Sequence, residues 1–220
     1  MKVIPVINCD NFDCVAKKIK IAREELKADW LHFDVAEKPL ASINTWNDPA
    51  ALADFLKKQK GQRPKIEVHL MVKKPEEAVA AWLAIGASRV IISAADFDDN
   101  RWIDFQDKFF KDSKTELGFS LGLKNNLKEI FPWLEKKRIK FLHILAVPAG
   151  KAGQEFQKAV IPKIAILKRR FPGVTIEADG GINPVVAKLL KAVGTDILTT
   201  SHYVFNSENP KKAFEELKKI

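Results

Sequence analysis

Eight β-rich runs alternating with eight helical segments predict an α/β fold, a single-domain (β/α)8 barrel spanning residues 1–220. Three observations carry that reading. The alternation is unbroken, no linker or low-complexity tract divides the chain, and several chemistry-bearing side chains stand where apolar runs stop.

The first run, Lys2–Asn8, is read as a strand and not a signal peptide, because Asn8, Cys9 and Asp10 end it without a small-residue cleavage site. Helical spacing of apolar residues follows over 12–27. Strands are then expected at 30–35, 65–72, 88–93, 115–121, 139–147, 174–178 and 195–200. The helices between and after them are expected at 48–60, 75–86, 100–112, 125–137, 154–171, 184–193 and 209–219. Punctuation fits these boundaries. Pro75 and Pro184 stand at helix starts, with Asn183 as an N-cap, while Gly86, Gly194 and Phe171-Pro172-Gly173 mark helix ends. An open doubly wound sheet would need a glycine-rich turn after the first strand. Asn8–Phe12 contains no glycine, so the barrel is preferred.

A formal net charge of +9 invites a nucleic-acid reading. The basic clusters, however, fall at or just past predicted helix ends, where cations offset exposed carbonyls, and no aromatic residues interleave with them. A solvated basic rim, with no nucleic-acid or membrane partner, is expected. No stretch approaches the roughly 20 apolar residues of a membrane span. Cys9 and Cys14 lack the spacing of a C-x-x-C pair and are expected as buried thiols in a reducing cytoplasm.

Four residues at predicted strand ends suggest chemistry: His32, Asp34, His69 and Asp179. In a barrel, the strands' C-terminal ends form the active face. His32 and Asp34 are two apart and leave the same face of their strand, His69 comes from the next strand, and Asp179 reaches in from across. Any one of them alone is ordinary: a core histidine, or an aspartate in a turn. Together, interior carboxylates call for a counter-charge, and one divalent ion (Zn, Fe(II), Mn or Co) supplies it. Such a site suits proton removal beside a carbonyl, with Asp34 and Asp179 handling protons on opposite faces. Gly180 and Gly181 before a helix start, and the Thr200–Ser201 turn after the last strand, suit a phosphate held by backbone N–H groups.

These residues resemble the ribulose-phosphate 3-epimerase family over nearly the whole chain. The resemblance rests on His32-Phe33-Asp34, Val68–Val72 followed by Lys74-Pro75, Gly150 with Gly153 and Gln154, Lys163, and Asp179–Asn183. It implies a TIM barrel of ribulose-phosphate-binding type, acting in the pentose phosphate pathway on the C3 centre of ribulose 5-phosphate. It further implies His32, Asp34, His69 and Asp179 as metal ligands, with Asp34 and Asp179 as acid and base. The phosphate would meet Gly150, Gly180, Gly181, Thr200 and Ser201, with Gly153 and Gln154 in the adjoining loop. A homo-oligomer is implied as well. Departures are Val6 for a serine, Ala36–Lys38 for Met-Asp-Gly, Ser93 for a histidine, Lys151 for an aromatic residue, and Thr200 for a glycine. They favour the usual ketose phosphate held less firmly, or a different one. A silent sugar-phosphate-binding barrel and a related lyase or decarboxylase are the alternatives, the latter disfavoured by the lack of an Asp-x-Lys pair. His143 is expected to be packed within its strand and Lys151 to be solvated. The role of His202 is left open.

Overall fold

Strands buried on both faces need no alternation of polar and apolar residues, and the β-rich runs here show little. The computed structural model describes residues 1–93 and 97–220. The strands are β1 (Lys2–Ile7), β2 (Trp30–Ala36), β3 (Lys65–Met71), β4 (Arg89–Ser93), β5 (Glu116–Leu121), β6 (Phe141–Leu145), β7 (Thr175–Asp179) and β8 (Ile197–Thr200). They pair in sequence order, all parallel, and β8 closes onto β1. The helices are α1 (Phe12–Glu24), α2 (Pro49–Lys57), α3 (Pro75–Ala84), α4 (Asp99–Phe109), α5 (Leu127–Glu135), α6 (Val160–Arg170), α7 (Pro184–Ala192), α8 (His202–Phe205) and α9 (Pro210–Lys218). The predicted (β/α)8 TIM barrel is the observed fold.

Local chemistry sets most boundaries. The Asn183 side chain accepts from Val185 N and Val186 N at 3.0 Å, and Pro184 opens α7. Asp48 and Asn209 cap α2 and α9 in the same way, each followed by proline. Two expectations shift. α6 starts at Val160 rather than 154, because the preceding segment bonds to itself: Gln154 Nε2 donates to the carbonyls of Pro148 (2.7 Å) and Lys151 (2.8 Å). The short α8, absent from the expected list, follows directly on the turn after β8.

The cysteine expectation is overturned. Asn11 caps α1 by accepting from Cys14 N at 2.9 Å, and this first turn folds Cys14 back over Cys9. The two are joined in a disulfide with Cα atoms 5.8 Å apart, so neither is a free buried thiol.

The core lies in two parts. The larger fills the space between barrel and helices; the smaller is inside the barrel, where Ile4, Ile91, Phe141 and Ile197 pack together with Trp30 against them. Around this apolar cluster the interior is polar. Register places Glu67 beside Arg89 and Arg89 beside Glu116. The Arg89 guanidinium lies 3.8 Å from the Phe141 ring centre, donates to Glu116 Oε2 at 2.8 Å, and forms a close ion pair with Glu67 Oε2. Burial opposes ionisation of Glu67, but His32 and Arg89 together hold its carboxyl well below the usual range.

Replacing Arg89 by methionine leaves Glu67 charged and buried, and should cost about 3–5 kcal/mol in urea unfolding. The double change Glu67→Met with Arg89→Met should recover much of that loss; no recovery would show that the pair is not the cause. Thiol titration of the unfolded protein should find reactive Cys9 and Cys14 only after treatment with a reductant.

Candidate active site

Three of the four expected metal ligands meet as the sequence proposed. His32 and Asp34 project from one face of β2, and register sets Asp34 beside His69 on β3. Ligand atoms of His32, Asp34 and His69 all lie within 4.8 Å of one another. His32 Nε2 is 3.2 Å and His69 Nδ1 3.7 Å from the same oxygen, Asp34 Oδ1. The other oxygen, Oδ2, accepts from Asn8 Nδ2 at 2.9 Å, and that amide also reaches the Gly150 carbonyl at 2.9 Å. Burial would raise the Asp34 pKa, yet the two histidines outweigh it and hold the carboxyl well below its normal value.

Asp179 is not in that cluster. It ends β7, separated from β2 around the barrel by β1 and β8. Thr199 Oγ1 donates to its Oδ1 at 2.6 Å, while Oδ2 faces His143 Nε2 at 3.6 Å. His143, expected to be packed, is fully buried, but its neighbours are polar. Its Nδ1 lies 2.7 Å from Glu177 Oε1, and its ring centre is 4.4 Å from that of His69 and 5.4 Å from that of His32. Burial disfavours charge on His143, but the attraction of Asp179 and Glu177 prevails and lifts its pKa to about 9. Burial and its proximity to His143 push His69 the other way, to about 4. Burial, then the nearby Glu67 charge, raises Glu177 to about 7.

The arrangement repeats itself. In one limb Glu67 meets His32 Nδ1 at 2.7 Å and His32 Nε2 faces Asp34; in the other Glu177 meets His143 and His143 Nε2 faces Asp179. Each imidazole therefore has a carboxylate below it, fixing its orientation, and a carboxylate above it. Glu67, Glu177, His32 and His143 have no accessible surface, whereas the Asp34 and Asp179 side chains are 10 % and 12 % exposed. Asp34 and Asp179 border a cavity of about 390 Å³ at the C-terminal ends of the strands.

Every expected phosphate-side residue borders that cavity: Gly150, Gly153, Gln154, Gly180, Gly181, Thr200 and Ser201. Gly180 (φ +101°) and Gly181 (φ +67°) require a backbone that other residues rarely adopt. A Cβ on Gly180 would lie 2.5 Å from a Val147 methyl, and one on Gly181 would run into the Phe156 backbone. Lys151 and His202 stand exposed on the cavity rim, where Lys151 was expected to be solvated. The unfamiliar loop after β2 leans on the loop after β6, with Ser42 N donating to Ala149 O at 3.1 Å.

Several residues of the site were not singled out from sequence. Asn8 orients Asp34, Thr199 orients Asp179, and Lys18 Nζ donates to Asn8 O (3.0 Å) and Ser201 Oγ (3.2 Å). A charge inside an apolar run was the available signal for Glu67 (Ile66-Glu67-Val68) and Glu177 (Ile176-Glu177-Ala178). No comparable signal marks Lys18, which reaches the site from α1.

The donor set fits a divalent cation. His69 Nδ1 is buried with no hydrogen-bond partner among the described residues, and it faces a carboxylate oxygen already near His32.

Comparison with known proteins adds the family. The chain is 24 % identical over 220 residues to the cytoplasmic isoform of ribulose-phosphate 3-epimerase from Oryza sativa subsp. japonica, covering 99 % of this chain and 93 % of that one. It is 27 % identical over 224 residues to ribulose-phosphate 3-epimerase from Helicobacter pylori (strain J99), covering 100 % and 98 %. Among solved structures, 3-hexulose-6-phosphate synthase from Salmonella typhimurium superposes with a TM-score of 0.72 at 13 % identity, over 100 % of this chain and 97 % of that one, a likeness of fold alone. The model of the ribulose-phosphate 3 epimerase family matches residues 2–205, and with the barrel and its paired carboxylates in place, this chain belongs to that isomerase family.

Proposed function

We propose that the chain inverts C3 of a ketose phosphate, converting ribulose 5-phosphate to xylulose 5-phosphate or acting on a close analogue. One observation carries the reading. Asp34 and Asp179, from strands well separated around the barrel, are the carboxylates of the buried polar group that border the cavity. Epimerisation needs one group to take a proton from a carbon and another to return a proton to its opposite face.

Asp34 is the better-anchored of the pair, fixed by Asn8 on one oxygen and by histidines on the other. Asp179 has Oδ1 occupied by Thr199, leaving Oδ2 facing His143 Nε2 at 3.6 Å. One takes the C3 proton, an enediolate forms, and the other delivers a proton to the opposite face. His32, Asp34, His69 and Asp179 would hold a divalent ion, Zn, Fe(II), Mn or Co. When bound it supplies charge that steadies the developing enediolate. The phosphate would rest on the backbone at Gly150, Gly180, Gly181 and the Thr200–Ser201 turn, beside Gly153 and Gln154. Thr200 Oγ1, buried and without a hydrogen-bond partner among the described residues, supports an acceptor at that turn.

The same reading takes the chain as one domain over 1–220 that self-associates. Val185 (71 % exposed) and Leu40 (54 % exposed) are apolar surface available to a second copy. No helix among the described residues is long and apolar enough to cross a membrane. The name of the rice relative supports a cytoplasmic setting, and the Cys9–Cys14 disulfide runs against a reducing one.

Metal-loaded protein in D2O should interconvert the two pentulose 5-phosphates and place deuterium at C3. Asp34→Asn and Asp179→Asn should each slow interconversion by about 10²-fold or more. The carboxylate that remains should still exchange the C3 hydrogen of one epimer. Absence of C3 exchange with every ketose phosphate tried would dispose of the epimerase reading. Sedimentation velocity at micromolar concentration should show a species larger than one chain, and a monomer would remove self-association.

A further inference from the structure

The proposed ligand set leaves His143 without a task, and its surroundings are not those of a packing residue. Its Nε2 is fully buried and has no hydrogen-bond partner among the described residues. The same is true of His69 Nδ1, on a ring 4.4 Å away between centres. Two buried imidazole nitrogens are thus left without partners in adjacent rings, and each faces an aspartate across a gap too long for a hydrogen bond. His69 Nδ1 is 3.7 Å from Asp34 Oδ1, and His143 Nε2 is 3.6 Å from Asp179 Oδ2. Buried polar atoms are costly to leave unsatisfied, a cost that a ligand would remove. The hydrophobic residues flanking His143 on β6, Leu142 and Ile144, face the outer core, so the imidazole is directed inward.

From this we propose that His143 Nε2 is a further donor to the divalent ion, making the centre a site of three histidines and two aspartates. The inference rests on the metal reading above and adds to it a residue that the family resemblance does not supply. The support beneath His143 matches the support beneath His32. Glu177 Oε1 lies 2.7 Å from His143 Nδ1, as Glu67 Oε1 lies 2.7 Å from His32 Nδ1. With Nδ1–H donated to a carboxylate, Nε2 is the nitrogen open to a metal, which would take the place of any proton there. His143 also links Asp179 to the cluster, since its Nε2 faces Asp179 Oδ2 at 3.6 Å and its ring centre lies 4.4 Å from that of His69. A third imidazole favours the nitrogen-seeking ions Zn, Co and Fe(II) over Mn.

Cobalt(II) tests this without any turnover. X-ray absorption of the cobalt-loaded wild-type protein should resolve three coordinated imidazoles; two would overturn the proposal. His143→Leu should bind cobalt about tenfold to hundredfold more weakly in chelator competition, the usual effect of losing a ligand or its support. Its visible ligand-field spectrum should also change in position and intensity. A variant with unchanged affinity and spectrum would likewise overturn the proposal, and the spectrum separates ligation from a merely structural role. Loss of cobalt from His69→Ala, with His143→Leu indistinguishable from wild type, would sink only this inference. A wild-type protein that takes up no cobalt, zinc or iron would sink the metal reading as a whole, and this inference with it.

Discussion

The rest of the site depends on a set of charges enclosed in the barrel. Glu67, Glu177, Asp34 and Asp179 are carboxylates held in an interior where an isolated charge is prohibitively costly. Arg89 answers Glu67 at the floor, its guanidinium against the Phe141 ring. Above that level the balance rests on imidazoles, whose charge depends on protonation. Removing one charge changes the state of the next. Burial disfavours charge on both rings, but Asp34 and Glu67 outweigh it at His32 and raise its pKa, while His69, beside His143, is pushed down to about 4.

The barrel serves this set by geometry more than by stability. Parallel register aligns Asp34 with His69, His143 with Glu177 and Asp179 with Thr199, so each polar group meets its partner on the next strand. The backbone ladder cannot slip by one residue without turning all of these side chains outward. An apolar floor of Ile4, Ile91, Phe141 and Ile197 closes the interior below. Asp34 and Asp179 open toward the strands' C-terminal ends, where the cavity lies, while Arg89 reaches the partly exposed Glu116 at the other end.

Departures from the family resemblance fall on strands as well as on loops. Val6, Lys151 and Thr200 all border the cavity, while the segment after Ala36 is tied locally through Thr45 and leans on Ala149. Carboxylates set on rigid strands tolerate such change, because a substitution at the cavity wall need not move them.

Much of this was legible from residue order. Strand and helix alternation predicted the barrel because both-face burial leaves continuous apolar runs, and proline, asparagine and glycine marked helix ends by local backbone chemistry. His32, Asp34, His69 and Asp179 were visible because polar side chains at the ends of such runs need a reason to be there. What only the tertiary structure decided involves partners distant in sequence. Asn8 on Asp34, Lys18 on Ser201, Glu177 beneath His143 and the late start of α6 depend on distances that no local pattern encodes. The Cys9–Cys14 bond depends on the direction of the first turn of α1, and spacing alone pointed instead to free thiols. The reason is common to all of them: propensity and periodicity act over a few residues, whereas a buried polar group is satisfied by whatever the closed barrel brings beside it.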